Sequence, residues 1–177
     1  MNAVDLLTKD HRAVEDLFAQ FDASEPEGRG DILAQIIREL SVHAAIEEAH
    51  LYPLIEKEVP GGRSLVREAI DEHQTVKEVL GRLDSKVDKA HTKAVAEMVG
   101  RLQRDVEHHV TEEEGEVFPK LEESVTKTRL EDVGRELRKA KETAPTRPHP
   151  NQPPATELTG KANAILDKAR DKASGRT

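Results

Sequence analysis

The sequence contains no cysteine and no tryptophan, and aromatic side chains make up only 2% of its 177 residues. Without thiols, the chain has no disulfide framework, no cysteine nucleophile and no thiolate-held zinc or iron–sulfur cluster. Any metal must therefore be bound by nitrogen and oxygen ligands. No apolar run approaches the roughly 20 residues of a membrane-spanning helix, and the N-terminus lacks the basic and apolar segments of a signal peptide. These absences lead us to expect a cytoplasmic protein with no membrane partner.

Charged side chains make up 35% of the chain, and alanine, leucine, glutamate, lysine and arginine are abundant. This composition is typical of long amphipathic helices, and a chain of this length supports one sizeable hydrophobic core. The formal net charge is −8. Residues 143–177 contribute +3, from six Lys/Arg and three Asp/Glu, so residues 1–142 carry −11. Because an acidic surface repels nucleic acid, we expect no nucleic-acid partner.

Apolar residues recur at spacings of three and four along four stretches of the chain, which indicates four amphipathic helices. Loop-forming sequences at 24–31 and 60–62 interrupt this pattern. Because short loops favour antiparallel neighbours, the simplest prediction is an all-α fold, an up-down-up-down antiparallel four-helix bundle. The apolar stripes of the four predicted helices cover residues 4–21, 36–54, 66–87 and 95–121.

The C-terminal part of the chain has a different composition. Residues 128–142 continue the amphipathic pattern and predict a fifth helix beside the bundle. Residues 143–177 contain five of the nine prolines, which predicts an extended or disordered linker, with a short helix over about 161–173. We therefore divide the chain into a bundle with an extra helix, residues 1–142, and a proline-rich tail with a short helix, residues 143–177.

One sequence pattern occurs twice. DHRAVEDLF at 10–18 aligns with EHQTVKEVL at 72–80, and HAAIEEAHLYP at 43–53 aligns with HVTEEEGEVFP at 109–119. A duplicated scaffold needs matching apolar positions, but packing gives no reason for buried imidazoles and carboxylates to recur. Their recurrence indicates a ligand bound between the two halves. The repeated polar residues are His11 and His73, His43 and His109, and Glu47 and Glu113.

The spacing of these residues suits metal ions. The histidine and glutamate of each second motif are four positions apart, so they project from one helix face about 6 Å apart along the axis. The histidine of each first motif comes from another helix. Buried without a metal, such groups would cost about a few kcal/mol each. Four imidazoles and two carboxylates fit two ions of iron, manganese or zinc, with the glutamates bridging.

Other histidines offer one alternative. Glu47-x-x-His50 resembles the Glu-x-x-His motif of ferritin-like di-iron bundles, but the corresponding place in the second half is Glu113-x-x-Glu116. His-x-x-x-Glu is the only one of the two spacings present in both halves, so we favour it over Glu-x-x-His as the ligand motif. The histidines outside the apolar stripes, which we expect to be solvated, are His50, His91 and His108, while His149 lies in the predicted linker.

Taken together, the motifs resemble the bacterial hemerythrin-like proteins, also called His-His-Glu cation-binding domains, over about residues 1–140. The resemblance implies a non-haem centre of two iron ions, bridged by an oxo or hydroxo group and by the two glutamates. His11 and His43 would then bind mainly one iron, and His73 and His109 mainly the other. It rests on His11 preceded by an acid, His43-x-x-x-Glu47-Glu48 followed by Tyr52-Pro53, Glu72-His73, and His109-x-x-x-Glu113-Glu114 followed by Phe118-Pro119.

The sequence departs from that family at one place. The oxygen-carrying hemerythrins have a fifth histidine one turn after the third-helix histidine, where this chain has Lys77. A lysine is a poor ligand unless it is deprotonated. We therefore expect an extra position near His73 that is open to water or filled by another donor, such as Tyr52 or Glu15. The candidates for accepting imidazole N–H groups from outside the metal shell are Asp10 and Glu72.

A less saturated centre favours reaction over oxygen storage. We predict a protein that binds or reacts with dioxygen, peroxide or nitric oxide, as in an oxidative or nitrosative stress response, and whose reduced form autoxidises readily. Weak peroxidase-like, catalase-like or oxygen-reducing turnover would use electrons from an unidentified redox partner. A second hypothesis is an iron- or oxygen-sensing module that signals through metal-coupled folding and its tail. A third, a metal-free helical interaction protein, is disfavoured by the six recurring ligands.

Overall fold

The computed structural model describes residues 1–174, and the regular secondary structure in this part of the chain is entirely helical. The all-α prediction is therefore confirmed. Within the same residues, no helix is long and apolar enough to cross a lipid bilayer. The last three residues of the predicted tail lie outside the described part. The helices are α1 Ala3–Ala23, α2 Arg29–Ile46, α3 Tyr52–Glu58, α4 Gly62–Asp84, α5 Lys93–Glu112, α6 Phe118–Ser124, α7 Lys127–Lys141 and α8 Glu157–Ser174.

Two π-helical turns join pairs of these helices into continuous rods. Glu47–Leu51 joins α2 to α3, and Glu113–Val117 joins α5 to α6. In each turn a backbone N–H donates to the carbonyl five residues earlier, from Tyr52 in the first and from Phe118 in the second. A proline follows each turn, and proline lacks an N–H and collides with the preceding turn of an α-helix. Such π-turns inside α-helices are frequent at functional sites, and each turn begins at a repeated glutamate.

Two apolar clusters fill the interior, and a polar layer separates them. α1 packs against α2, α4 packs against α5, and α2 and α3 pack against α4. Along α1, Leu7 belongs to the first cluster and Val14 to the second, with buried His11 between them. Along α4, Val66 and Val76 flank His73 in the same way. The apolar clusters thus bring the repeated histidines to one level of the bundle.

The predicted fifth helix is α7, and it packs closely against the beginning of α1. A Cβ atom on Gly134 would lie only 2.7 Å from the carbonyl carbon of Asn2, so a larger residue would force the two helices apart. The buried residues of α7 are Gly134 and the three residues of the predicted apolar stripe, Leu130, Val133 and Leu137.

Residues 142–156, between α7 and α8, contain no helix, as their prolines predict. Where the sequence suggested an extended or disordered linker, this segment lies against α4. Arg147 donates to Asp84, and Gln74 donates to the carbonyl oxygen of Pro150. The helix predicted over about 161–173 corresponds to α8, Glu157–Ser174.

Candidate metal centre

The four repeated histidines meet in two pairs. Nε2 of His11 lies 3.2 Å from Nε2 of His43, and Nε2 of His73 lies 3.2 Å from Nε2 of His109. All four side chains are buried. α1 and α2 supply the first pair, and α4 and α5 supply the second. The structure therefore forms the same two histidine pairs that the resemblance assigns to one metal ion each.

The two repeated glutamates connect these pairs. Oε2 of Glu47 lies 3.1 Å from Nε2 of His43, in the first pair, and 3.4 Å from Nε2 of His73, in the second. Oε2 of Glu113 lies 3.3 Å from Nε2 of His11, in the first pair, and 3.8 Å from Nε2 of His109, in the second. Each carboxylate thus contacts both pairs, which is the arrangement that a ligand bridging two metal ions requires.

The carboxylates of Glu47 and Glu113 are buried, and imidazole nitrogens of the two histidine pairs lie within 4 Å of each. The two residues are 0% and 2% exposed, and among the described residues none of their four oxygens has a hydrogen-bond partner. Buried carboxylates are strongly unfavourable unless protonated imidazoles or metal ions neutralise their charge. Metal ions would make ligands of these oxygens and of the four imidazole nitrogens, and this donor set suits iron, manganese or zinc. The residues present therefore fit a pair of metal ions.

The carboxylates also attract protons to the imidazoles. Burial disfavours a charged imidazole at His43, but the charge of Glu47 and the nearby carboxylate of Asp10 outweigh it and raise the pKa of His43 to about 10. Against the same effect of burial, Glu47 and Glu48 raise the pKa of His73 to about 9. Burial would raise the pKa of Glu47, yet the adjacent imidazoles hold it well below its usual value. A metal ion that binds here must displace protons.

The two acids proposed from the sequence as imidazole acceptors each lie near Nδ1, the other ring nitrogen, of a histidine. Glu72 lies 2.7 Å from Nδ1 of His109. Asp10 lies 4.0 Å from Nδ1 of His43, which is too long for a hydrogen bond, and Asp10 also accepts from Lys141 of α7 at 2.6 Å. Acceptors in this position fix the orientation of a ligand imidazole and increase its basicity.

The carboxylates beside the other two histidines were missed by the sequence-based prediction. Glu114 lies 2.7 Å from Nδ1 of His11, and Glu48 lies 3.1 Å from Nδ1 of His73. Each half of the repeat thus supplies the acceptor for a histidine of the other half. The sequence contains a signal, since Glu-Glu recurs at 47–48 and 113–114. Which distant histidine each second glutamate faces depends on helix packing, which one sequence does not show.

The residues discussed for the position of the missing fifth histidine differ in whether their polar atoms lie near His73. Nζ of Lys77 donates to both carboxylate oxygens of Glu48, so the lysine is directed at that residue. Glu15 lies on the half-exposed outer face of α1, where it pairs with an arginine. The hydroxyl of Tyr52 is 3.1 Å from Nε2 of His73, and burial and the surrounding carboxylates raise the pKa of Tyr52 well above its usual value. Of these candidates, Tyr52 has its polar atom at the histidine pair.

Phe118 occupies the place of Tyr52 in the other half. Its ring stacks on His11, with the ring centroids 6.0 Å apart and the planes 1° from parallel. The ring of Tyr52 lies 5.4 Å from that of His73. The repeat therefore places an aromatic ring beside each first-motif histidine, but only one of these two rings carries a hydroxyl group.

A cavity of about 20 Å³ adjoins the histidine pairs. Its floor consists of the four histidines, and the rest of its wall is apolar. The apolar lining residues are Val14, Leu40, Ala44, Val76, Val106 and Val110.

The remaining histidines lie outside the two pairs. His91 and His108 are exposed, and His50 is half-buried. His108 lies near two surface carboxylates, at 3.5 Å from Glu72 and 3.3 Å from Glu112. His149 is 3.1 Å from a carboxylate oxygen of Asp167 in α8.

Comparison with known families agrees with this arrangement. The model of the hemerythrin HHE cation binding domain matches residues 2–121. The match covers more than half of the chain and includes all six converging histidines and glutamates. No curated protein and no solved structure matches the chain significantly. The chain belongs to the hemerythrin HHE cation-binding domain family.

Proposed function

We propose that the protein holds a non-haem di-iron centre that reacts with dioxygen, peroxide or nitric oxide. The observation that carries the proposal is the pair of buried carboxylates, Glu47 and Glu113, each placed between two histidine pairs without a hydrogen bond. One cation at each histidine pair would compensate both carboxylates. Iron suits imidazole and carboxylate donors, and cation binding is the property that the name of the matched family states.

In this proposal the bound irons supply the redox chemistry, and the side chains hold and surround them. The rods α1, α2–α3, α4 and α5–α6 run alternately up and down, since short connections favour antiparallel neighbours. Nε2 of each histidine and the oxygens of both glutamates would hold the metals. The outer carboxylates, such as Glu72 beside His109, keep Nε2 directed inward and make it a stronger ligand.

The cavity beside the histidines supports a very small reactant. A single water molecule needs about 10–15 Å³, so a cavity of about 20 Å³ accommodates a diatomic molecule or hydrogen peroxide and excludes larger organic substrates. Its valine-rich wall favours uncharged ligands such as dioxygen and nitric oxide, because charged species lose hydration there.

The position of Lys77 supports reaction rather than reversible oxygen storage. Lys77 is engaged by Glu48 and does not replace the fifth histidine of the oxygen carriers. The His73 side therefore offers a coordination position to a small reactant, to water or to Tyr52. We propose weak peroxidase-like, catalase-like or oxygen-reducing turnover, with electrons delivered by a redox partner.

Metal analysis followed by rapid mixing tests the proposed function. The protein reconstituted with ferrous iron under anaerobic conditions should contain two irons per chain. Stopped-flow mixing with dioxygen, hydrogen peroxide or nitric oxide should then show fast spectral changes, which are readily followed because the chain has no tryptophan. Metal-free protein is the control. A long-lived, reversible complex with dioxygen would contradict the reactive role, and a preparation unable to bind two metals would contradict the site.

A sensing role is the second candidate function, and one contact favours it. The backbone N–H of Ala155, in the tail, donates to Glu48, and Glu48 lies beside His73. Changes at the metal site would therefore reach the tail. Hydrogen exchange of the tail amides, compared between metal-free and metal-loaded protein, tests this role. Equal exchange in both states would argue against it.

A further inference from the structure

The segment between α7 and α8 crosses the outer face of α4 and ends beside the candidate metal centre. We name residues 147–155 the strap. Its start lies near the C-terminal end of α4, and its last residue reaches the π-turn that follows α2. Its polar contacts with the bundle are Arg147 to Asp84 at 2.9 Å, Gln74 to the carbonyl oxygen of Pro150 at 2.8 Å, and the Ala155 N–H to Glu48.

α8 holds the beginning of the strap. Asp167 is 0% exposed, and one of its oxygens accepts from the backbone N–H groups of Thr146 and Arg147 at 3.0 and 3.1 Å. The same oxygen lies 3.1 Å from Nε2 of His149. Asp171 accepts from Nε of Arg147 at 2.8 Å. A buried carboxylate with several donors fixes the local backbone, so the strap has a defined conformation.

The end of the strap contacts Glu48, which lies beside the candidate ligand His73. Glu48 accepts from the Ala155 N–H and from Lys77, and it lies 3.1 Å from Nδ1 of His73. The strap, Lys77 and His73 thus share one carboxylate. Because Lys77 and the Ala155 N–H hold Glu48 from outside, they determine where its oxygen faces the imidazole.

The corresponding residue in the other half is less enclosed. The side chain of Glu48 is 0% exposed, whereas that of Glu114, its repeat partner, is 26% exposed. A cation faces each carboxylate, Lys77 at Glu48 and Arg12 at Glu114, and Glu48 additionally accepts from the Ala155 N–H of the strap. The strap covers Glu48 and makes the two halves of the site unequal.

We propose that the strap positions His73 through Glu48, and so controls metal binding at the His73–His109 pair but not at the His11–His43 pair. The inference rests on the proposed function, because it assumes that both pairs bind metal. Loss of an outer acceptor weakens metal binding by about 10–100-fold. Coupling between sites is reciprocal, so metal at His73 also strengthens docking of the strap.

Two substitutions in the full-length chain release the strap in different ways. At Gly81, on α4, an added Cβ would already lie 3.4 Å from Cγ of Pro150, so the longer side chain of Gly81→Leu displaces the strap. Gly100→Leu is the matched control, because Gly100 lies on α5 and a Cβ there would meet only an arginine side chain at 3.9 Å. Ala155→Pro removes the N–H that Glu48 accepts, and Ala155→Gly keeps that N–H as its control.

Cobalt titration and hydrogen exchange read out these variants. Metal-free wild-type protein should bind two Co²⁺ ions, followed by their visible d–d absorption. Gly81→Leu and Ala155→Pro should each weaken one of the two equivalents by about tenfold, alter the d–d spectrum of that equivalent and leave the other unchanged. Gly81→Leu should also speed amide exchange of the peptide that contains Ala155. Gly100→Leu and Ala155→Gly should match wild type in both measurements.

The outcomes separate this inference from the proposed function. If wild type binds two Co²⁺ ions and both release variants keep both affinities, the strap does not position His73 and the inference is wrong. Equal weakening of both equivalents would also overturn it, because the effect would then be general. If wild type binds fewer than two ions, the proposed function fails and the inference fails with it.

Discussion

Oε2 of Glu47 lies 3.4 Å from Nε2 of His73, across the boundary between the two repeats. The two residues belong to different halves of the sequence and to different helical rods. Their contact makes one six-residue centre out of two motifs that could otherwise form separate sites. The strongest test of the centre is therefore the loss of a residue that both halves share.

If Glu47 and Glu113 bridge two metals, removal of either should release both metals together. In Glu47→Ala or Glu113→Ala, each histidine pair loses a ligand and the charge that compensates its cation. His11→Ala should weaken chiefly the metal at the His11–His43 pair. Metal content per chain after dialysis, measured by mass spectrometry, distinguishes these patterns. Retention of one tightly held metal in Glu47→Ala would show that this carboxylate does not bridge.

Metal removal should destabilise the bundle. A metal that binds only the folded chain stabilises it by about 2.7 kcal/mol at a free concentration one hundred times its Kd. Without metal, the buried carboxylates of Glu47 and Glu113 have no hydrogen bond among the described residues and rely on protonated imidazoles to neutralise their charge. Thermal unfolding monitored by circular dichroism should show a lower midpoint after chelation, restored by adding metal back. The same midpoint in both states would contradict metal binding in this layer.

The metal-free protein should lose stability as the pH rises. The pKa values of His43 and His73 are raised from 6.5 to about 10 and about 9 by the adjacent carboxylates, so the folded state keeps protons that the unfolded chain has released. This contribution is fully present below pH 6.5 and disappears as the pH rises through about 9 to 10. At acid pH the sign is reversed. Because the pKa of Glu47 is lowered, its ionised carboxylate adds to the free energy of unfolding above pH 4.5, and this contribution is lost as the pH falls below that value.

Urea unfolding over pH values from about 6 to 10 measures this dependence. The metal-loaded protein is the control, since its imidazoles bind metal instead of protons and the alkaline loss should be much smaller. A free energy of unfolding that is constant over this range in the metal-free protein would contradict the raised pKa values.

Glu72→Gln should weaken metal binding at one pair of histidines. Glu72 lies 2.7 Å from Nδ1 of His109, and removing its charge lowers the basicity of that imidazole, with an expected loss of about 10-fold in affinity. Glu68→Gln, one turn earlier on the exposed surface of α4, is the control. Isothermal titration with Zn²⁺ or Co²⁺ gives both affinities. Equal behaviour of the two variants would show that Glu72 does not support the ligand.

Tyr52→Phe should make the two halves of the site alike, because Phe118 occupies the equivalent place. The Tyr52 hydroxyl lies 3.1 Å from Nε2 of His73, and its raised pKa keeps it protonated until a metal displaces the proton. If Tyr52 fills the extra position, the ferric protein has a visible phenolate-to-iron absorption band that the variant lacks. Both proteins should bind two irons. Identical spectra would assign the position to water.

The repeated histidines and glutamates of the site can be predicted from the sequence because helical periodicity relates residues that are close in the chain. Residues four positions apart share a helix face, so His43 and Glu47 are expected side by side from the sequence alone. Aligning the two halves also removes the alternative centred on His50, which the structure leaves outside the histidine pairs. Asp10 and Glu72 were candidates because they precede His11 and His73 in the sequence, but the structure places them beside His43 and His109 instead.

The outer part of the site depends on contacts between distant segments. Glu114 serves His11, and Glu48 serves His73, and these exchanged partners follow from how the rods pack. The sequence offered Glu15 as a substitute ligand because it aligns with Lys77, but its side chain is half-exposed and pairs with Arg12. The asymmetry of the site arises instead from Tyr52, Lys77 and the strap.

The sequence by itself determined the helical class, the repeat, and six polar positions that must share one layer, because apolar periodicity and burial costs are properties of neighbouring residues. Only the tertiary structure decided which histidine of each pair a glutamate contacts, that Lys77 binds Glu48, and that Ala155 reaches the same carboxylate. Those contacts join residues up to 107 positions apart. Their geometry is set by how the helices pack and by the path of the segment between α7 and α8, which the local sequence pattern does not specify.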